Sequence, residues 1–412
     1  CRYGRCSCQE RIRKYVRILP AISFAIPVLC MVLFGCHQKN ESRIYMSNDS
    51  CFQVISFNPD YHYTNLRFFN LSEVADTVEY IPLQTNEEIT VGEVRKLLIR
   101  NGRMYIWDRL SESVFCFDTS GNYLYRVHAQ GQGPGEYGRT SDFSLDMNNG
   151  HICIFSDVDR AIFEYDENGK FLKETPSPYI ITSFAIRGNT IYAYTGRMPN
   201  EYPDMDGESQ FRFNVVQDGE ATLHQLPFRH NEKLHKIPLS DRNFSMYKDT
   251  LLLSEDLSPR VYTVNRDGKL TPRYKIDFTT NTYHPSFEDG ELDIDRMQRE
   301  EREGNLTKMS NGFYENDRYV IFNYARGLIG TAYVDKRDST VHNMGYFNMD
   351  DYNHNPLASG IKFVDEEYIY KVEEPGMLVQ NGKKQEFSPA LARQVAGMSE
   401  TDNPVIVRIR LK

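Results

Sequence analysis

The sequence predicts an all-β chain folded as a six-bladed β-propeller of four-stranded antiparallel blades, with a helical insertion near 286–311. Six strand-like runs end in short polar turns, with turn glycines or their equivalents at 121, 169, 219, 268, 338 and 382. The first three intervals are 48, 50 and 49 residues, and a fixed period of that length marks stacked supersecondary units. Aromatic residues make up 13% of the chain, with 27 Tyr and 24 Phe, a usage that suits strands better than helices. At 412 residues the chain exceeds what one ordinary core serves, unless repeats or a closed ring divide the burial.

Each unit reads as four strands. In the first, the run from Val94 to Ile99 meets the Asn101-Gly102 turn, which suits a two-residue hairpin. Met104 to Asp108, Val114 to Phe117 and Tyr123 to Val127 complete it. The next unit repeats the order with Phe143 to Leu145, Ile152 to Phe155, Ile162 to Tyr165 and Phe171-Leu172. Further units start at Ile181, Phe244, Phe313 and Ile361, and the sixth is expected to turn at Gln380-Asn381-Gly382 after Leu378-Val379. The terminal run Pro404 to Leu411 is a strand beyond that turn, available to close the ring together with the strand around Tyr80. Radial repetition of this kind leaves only short, protected sheet edges.

Two stretches break the period. Residues 198–243 are polar and carry Pro199, Pro203 and Pro227, as expected of long loops within and after the third blade. Residues 286–311 contain the helix formers Glu291 to Glu303, which read as a solvated helix with mixed i,i+4 charge pairs or as a cap over one mouth of the ring.

The N-terminal segment reads as a leader. Arg11, Arg13, Lys14 and Arg17 precede an apolar run from Ile18 to Phe34, followed by Gly35-Cys36. A basic region, an apolar region and a small residue before the cleavage point form a secretory signal. The cysteine directly after Gly35 resembles a bacterial lipobox, which implies lipidation of Cys36; an uncleaved membrane anchor is the alternative. The expected division is a signal at 1–35, a polar tether at 36–72 and the propeller at 73–412. The chain begins without Met, as an overextended reading frame would. Residues 1–35 hold six Lys/Arg and one acidic residue, so the chain from Cys36 carries 42 basic and 56 acidic side chains, a formal charge of −14. Such a surface disfavours nucleic acid, whose binding rests on phosphate neutralisation. Cys116 and Cys153 alternate with large apolar residues and read as small packed hydrophobes.

Gly131-Gln132-Gly133-Pro134-Gly135-Glu136-Tyr137 is not a dinucleotide fingerprint, because Glu136 stands at the third glycine position and Pro134 removes an N–H. Its position assigns it to the crossover between blades one and two. Together with Ile106-Trp107-Asp108, Val114 to Asp118 and Gly121 to Leu124, it resembles an NHL-type repeat. More particularly it is similar to the six-bladed propeller lipoproteins of Bacteroides and relatives, as is the closing Asp402-Asn403-Pro404-Val405. The resemblance implies a propeller over residues 74–412 at the cell envelope, and it supplies no catalytic residues.

Asp108 and Asp157 end equivalent second strands, where they bond turn amides or point carboxylates at a mouth of the ring. Arg109, Arg139 and Arg160 lie beside them, and with Glu136 and Tyr137 they form the candidate ligand-binding set. No His-Glu-x-x-His, Gly-x-Ser-x-Gly, Gly-Lys-Ser/Thr or repeated Asp box occurs. The expectation is therefore a lipid-anchored, non-enzymatic envelope protein without a cofactor, binding a glycan, peptide or partner protein at a propeller face. The alternatives are a hydrolase or lyase using Asp108, Asp157 and Glu136 with Ca²⁺ at the central channel, or a structural subunit of an envelope complex.

Overall fold

A computed structural model describes residues 42–43, 52–59, 68–202, 210–228, 241–279, 294–348, 360–383, 387 and 389–412. Its strands form six antiparallel sheets, one per blade. Blade one is Val94–Arg100, Arg103–Asp108, Ser113–Asp118 and Tyr123–Val127; blade two is Asp142–Leu145, Ile152–Ser156, Ala161–Tyr165 and Phe171–Pro176. Blade three is Ser183–Arg187, Thr190–Tyr194, Phe211–Gln217 and Glu220–Pro227; blade four is Phe244–Tyr247, Thr250–Ser254, Arg260–Val264 and Leu270–Phe278. Blade five is Lys308–Glu315, Tyr319–Arg326, Leu328–Asp335 and Thr340–Asn348. Blade six takes Phe363–Val364, Ile369–Glu373 and Val405–Leu411, and its outer strand is the N-terminal Ala75–Pro82.

Burial explains why the strand signals differ across a blade. Every residue of Met104–Asp108 and of Ser113 to Phe117 is buried. These middle strands are covered on both faces by neighbouring blades, so they read as continuous apolar runs. The outer strands Tyr123–Val127 and Phe171–Pro176 face water on one side, and their burial alternates or falls away. Six hydrophobic clusters fill the six spaces between adjacent blades, from blades one and two (Trp107, Phe143, Phe163) round to blades six and one (Ile406, Phe115). That sixth cluster closes the ring.

The closure is a β-ladder between the two ends of the ring. Val405 pairs with Pro82, Val407 with Tyr80 and Ile409 with Val78. Asn403 locks its entrance: its Nδ2 donates to Gln84 O at 2.7 Å and Ile89 O at 2.9 Å, and its Oδ1 accepts from Val91 N at 2.7 Å.

Three features differ from the sequence expectation. Leu378-Val379 is not a strand before a sixth turn; it lies in the helix Pro375–Gly382, with Leu378 buried. Two adjacent apolar residues cannot distinguish the two periodicities, and Pro375 pre-sets the helical φ of the first turn. Because the fourth strand of blade six comes from the N-terminal side, no such turn is needed. Second, within 36–72, expected as a tether, Gln53–Phe57 runs parallel to the outer strand of blade four with Ile55 and Phe57 buried. Phe68–Asn70 and Ser42–Arg43 likewise pair with the outer strand of blade five. Third, the polar stretch after residue 198 contains both outer strands of blade three, while 203–209 and 229–240 fall outside the described residues.

The helical insertion forms as expected, at Ile294–Arg302. Met297 is its buried anchor, and Glu301 pairs with Lys308 at 2.8 Å. Cys116 and Cys153 are free thiols buried in the inter-blade packing.

Candidate binding site in the central channel

The inner strands of all six blades run in one direction around a central cavity of about 320 Å³. At their N-terminal ends lie the crossovers between blades and the loops joining second to third strands. At their C-terminal ends lie the hairpin turns.

Near the N-terminal ends, a girdle of polar contacts links the blades. Lys96 Nζ of blade one donates to Asp142 Oδ1 at 2.7 Å and to Phe143 O at 2.8 Å in blade two. Asp142 Oδ2 accepts from Phe184 N of blade three at 3.0 Å. Ser183 Oγ reaches Asp241 O at 3.5 Å, in the crossover entering blade four, and the Asp241 carboxylate pairs with Arg95. Arg242 lies 3.7 Å from Asp241 and donates to Ile361 O at 3.1 Å, in the crossover entering blade six. Lys362 Nζ returns to Val94 O of blade one at 3.1 Å, and Tyr314 OH of blade five donates to Lys362 O at 2.9 Å.

Burial dominates the proton affinities of the girdle. It pushes Asp142 up to about 6, against the opposing pull of the Lys96 ammonium. It pushes Lys362 down to about 8, and the Arg242 charge adds to that fall while Asp241 opposes it. The two groups thus sit at the edges of the neutral range rather than far from it.

The cavity wall joins this girdle to the turn side. Leu98, Leu145, Phe244, Leu251 and Phe363 supply apolar surface. Among the described residues, Lys96, Arg100, Arg187, Arg242, Lys248 and Lys362 are the cations on the wall and Asp249 is its one acid. Arg100 donates to Asp146 O at 2.8 Å and Met147 O at 3.1 Å, which holds its guanidinium across the step between blades one and two.

The seven residues singled out by sequence lie elsewhere, at the blade one to blade two junction on the crossover side. Asp108 is buried and accepts from Glu93 N at 2.7 Å and from the Ser111 hydroxyl at 2.6 Å. Asp157 lies one residue past the end of the equivalent strand, Ile152–Ser156, paired with Arg139 and accepting from Ser141 Oγ at 2.6 Å. Arg109 pairs with Glu93 at 2.6 Å. Glu136 closes its own turn by accepting from Gly133 N at 2.8 Å. Tyr137 is buried, with its hydroxyl on Glu112 O at 2.9 Å. Arg160 is exposed in the left-handed region, φ 54°. The fold joins Arg139 to Asp157, and none of the seven lines the channel cavity. Cys36 is outside the described residues. Among the described residues no three His, Cys, Asp or Glu side chains converge in a metal-binding group.

Sequence reading missed every residue of the girdle. The available signal was weak: Arg95-Lys96 interrupt an apolar run, and Asp142 precedes Phe143 at a strand start.

A closed six-bladed propeller with a charged girdle across its channel is thus the class of protein the fold and the cavity define. The chain belongs to the DUF4934 family, described as a domain of unknown function, which it matches over residues 52–410. Among solved structures it is similar to a Bacteroides fragilis protein named as exported, with 16% identity and a TM-score of 0.69 over 88% of this chain and 99% of that one. A DUF4221 family member from Bacteroides vulgatus aligns with 10% identity and a TM-score of 0.48, over 82% of this chain and 97% of that one. No curated protein matches the chain.

Proposed function

We propose that this protein is an exported, non-enzymatic binding protein, held at the cell envelope by a lipid on Cys36, which receives its ligand in the central channel. The observation that carries the reading is the cavity itself. All six blades contribute to its wall, it has the volume of a small-molecule site, and its apolar lining is interrupted by a few convergent polar groups. The leader-like segment supports export, and the similar Bacteroides fragilis protein named as exported agrees with it.

Of glycans, peptides and partner proteins, the cavity volume favours a small ligand or the tip of a larger one. Differential scanning calorimetry of the full chain against small-molecule, glycan and peptide panels tests the binding role. Stabilisation that disappears when Phe244→Trp fills the cavity is expected; a panel with no stabilising compound counts against it. For the anchor, Cys36→Ala is expected to abolish acyl labelling and membrane fractionation, and persistent labelling of the variant excludes the assignment.

A further inference from the structure

We propose that the channel cavity takes a small organic anion, with its oxyanion toward Lys362 and its apolar body against Phe244, Phe363 and Leu98. This rests on the channel being the binding site and specifies the chemistry of what enters it.

The charge distribution is the first support. Among the described residues, six cations and one acid line the wall, in a chain whose formal net charge is −9. Asp142, Asp241 and Asp317 partner Lys96, Arg242 and Lys248 from outside the lining. The hydrogen bonds of Arg100, Arg187 and Lys362 among the described residues go to neutral acceptors. These are main-chain oxygens for Arg100, Met147 Sδ at 3.5 Å for Arg187 and Val94 O for Lys362. Cations held in place by dipoles rather than by carboxylates keep their charge available to a ligand.

The second support is the geometry around Lys362. Its ammonium is faced by Arg242 and Arg95, with Asp241, Glu93 and Glu374 as the opposing acids. Burial and the neighbouring guanidiniums depress its proton affinity. An anion arriving there supplies the missing countercharge, so binding and protonation of Lys362 reinforce each other. The third support is the mixed wall, which rewards an apolar body and penalises a bare inorganic ion that would leave Phe244, Phe363 and Leu98 uncovered.

Isothermal titration calorimetry of the full chain at pH 8 tests this with 2-naphthoate, 2-naphthalenesulfonate and 1-naphthyl phosphate, each beside neutral 2-naphthamide. At least one anion is expected to bind at a single site about tenfold or more tighter than the amide, with proton uptake visible as a dependence of heat on buffer. Lys362→Met is expected to abolish the proton uptake and weaken that anion about tenfold. Arg187→Met, nearer the turn side, provides a second variant, while Arg109→Ala on the crossover side leaves binding unchanged. Equal binding of amide and anions, or an undiminished affinity in both channel variants, overturns the anion assignment while leaving the channel as a binding site. Failure of all four compounds overturns the anion assignment, whereas loss of the channel reading itself requires the failure of the broader panel described above.

Discussion

Lys96 and Asp142 form a buried ion pair, 2.7 Å from Nζ to Oδ1, that joins the inner strands of blades one and two. Asp142 carries the contact onward to the Phe184 amide in blade three, so one carboxylate ties three blades at the channel. Burial raises the proton affinity of Asp142 more than the Lys96 charge lowers it, so desolvation works against the carboxylate.

Lys96→Met is therefore expected to destabilise the fold by about 3–5 kcal/mol at pH 7.5, because it leaves a buried carboxylate without its countercharge. Asp142→Asn is expected to cost a comparable amount, because it leaves the buried Lys96 ammonium without its countercharge and cannot accept from both Lys96 and the Phe184 amide. Urea unfolding of both variants checks the two losses. The Lys96→Met loss should shrink toward pH 5, where Asp142 takes up a proton.

Lys362 gives stability a predictable slope with pH. Its proton affinity falls from an ordinary 10.5 to about 8 on folding. Between those values the unfolded chain binds the proton and the folded chain does not, so the Lys362 contribution rises with pH from about 8 to 10.5. Below pH 8 both states are protonated, and the buried charge is a constant cost. Lys362→Met should remove this slope and raise stability at pH 7; denaturant titrations from pH 7 to 10 compare the two proteins.

Asn403 is expected to be among the most sensitive single positions at the ring closure. Its side chain makes three hydrogen bonds of 2.7–2.9 Å to the segment 84–91, and Asn403→Ala leaves those main-chain groups without it. At about 1 kcal/mol per bond, the loss is roughly 3 kcal/mol. Hydrogen exchange should show the opening concentrated in the Val405–Leu411 and Ala75–Pro82 ladder rather than spread evenly over the ring.

Two glycines separate backbone strain from crowding. Gly219 has φ +84° and open space where a Cβ would go, whereas Gly135 has φ +80° and the Phe171 ring 2.6 Å from that position. Gly219→Ala should cost about 1 kcal/mol, the price of the left-handed conformation. Gly135→Ala should cost at least about 2 kcal/mol, since overpacking adds to the same strain. Thermal unfolding of the two variants gives the comparison directly.

Much of the ring was legible locally. Turns such as Asn101-Gly102, Gly121 and Gly169 announce themselves, because positive φ is a demand on one residue that glycine or asparagine meets. The GQGPGEY run was assignable to a crossover for a related reason: it lies between two complete four-strand units. Leu378-Val379 was misread because an apolar pair carries no period. Gln53–Phe57 was read as tether because its partner strand, Leu270–Phe278, lies more than 200 residues away.

The sequence alone determined the six-fold repetition, the four-strand blade and the pairing of the two ring ends, since each is encoded within about 50 residues or by a terminal strand left over from the count. Tertiary structure alone decided the site. Lys96, Asp142, Asp241, Arg242 and Lys362 lie up to 266 residues apart, and each alone reads as an ordinary charged residue. Only the closing of the ring puts them around one cavity, where burial makes their charges matter to one another.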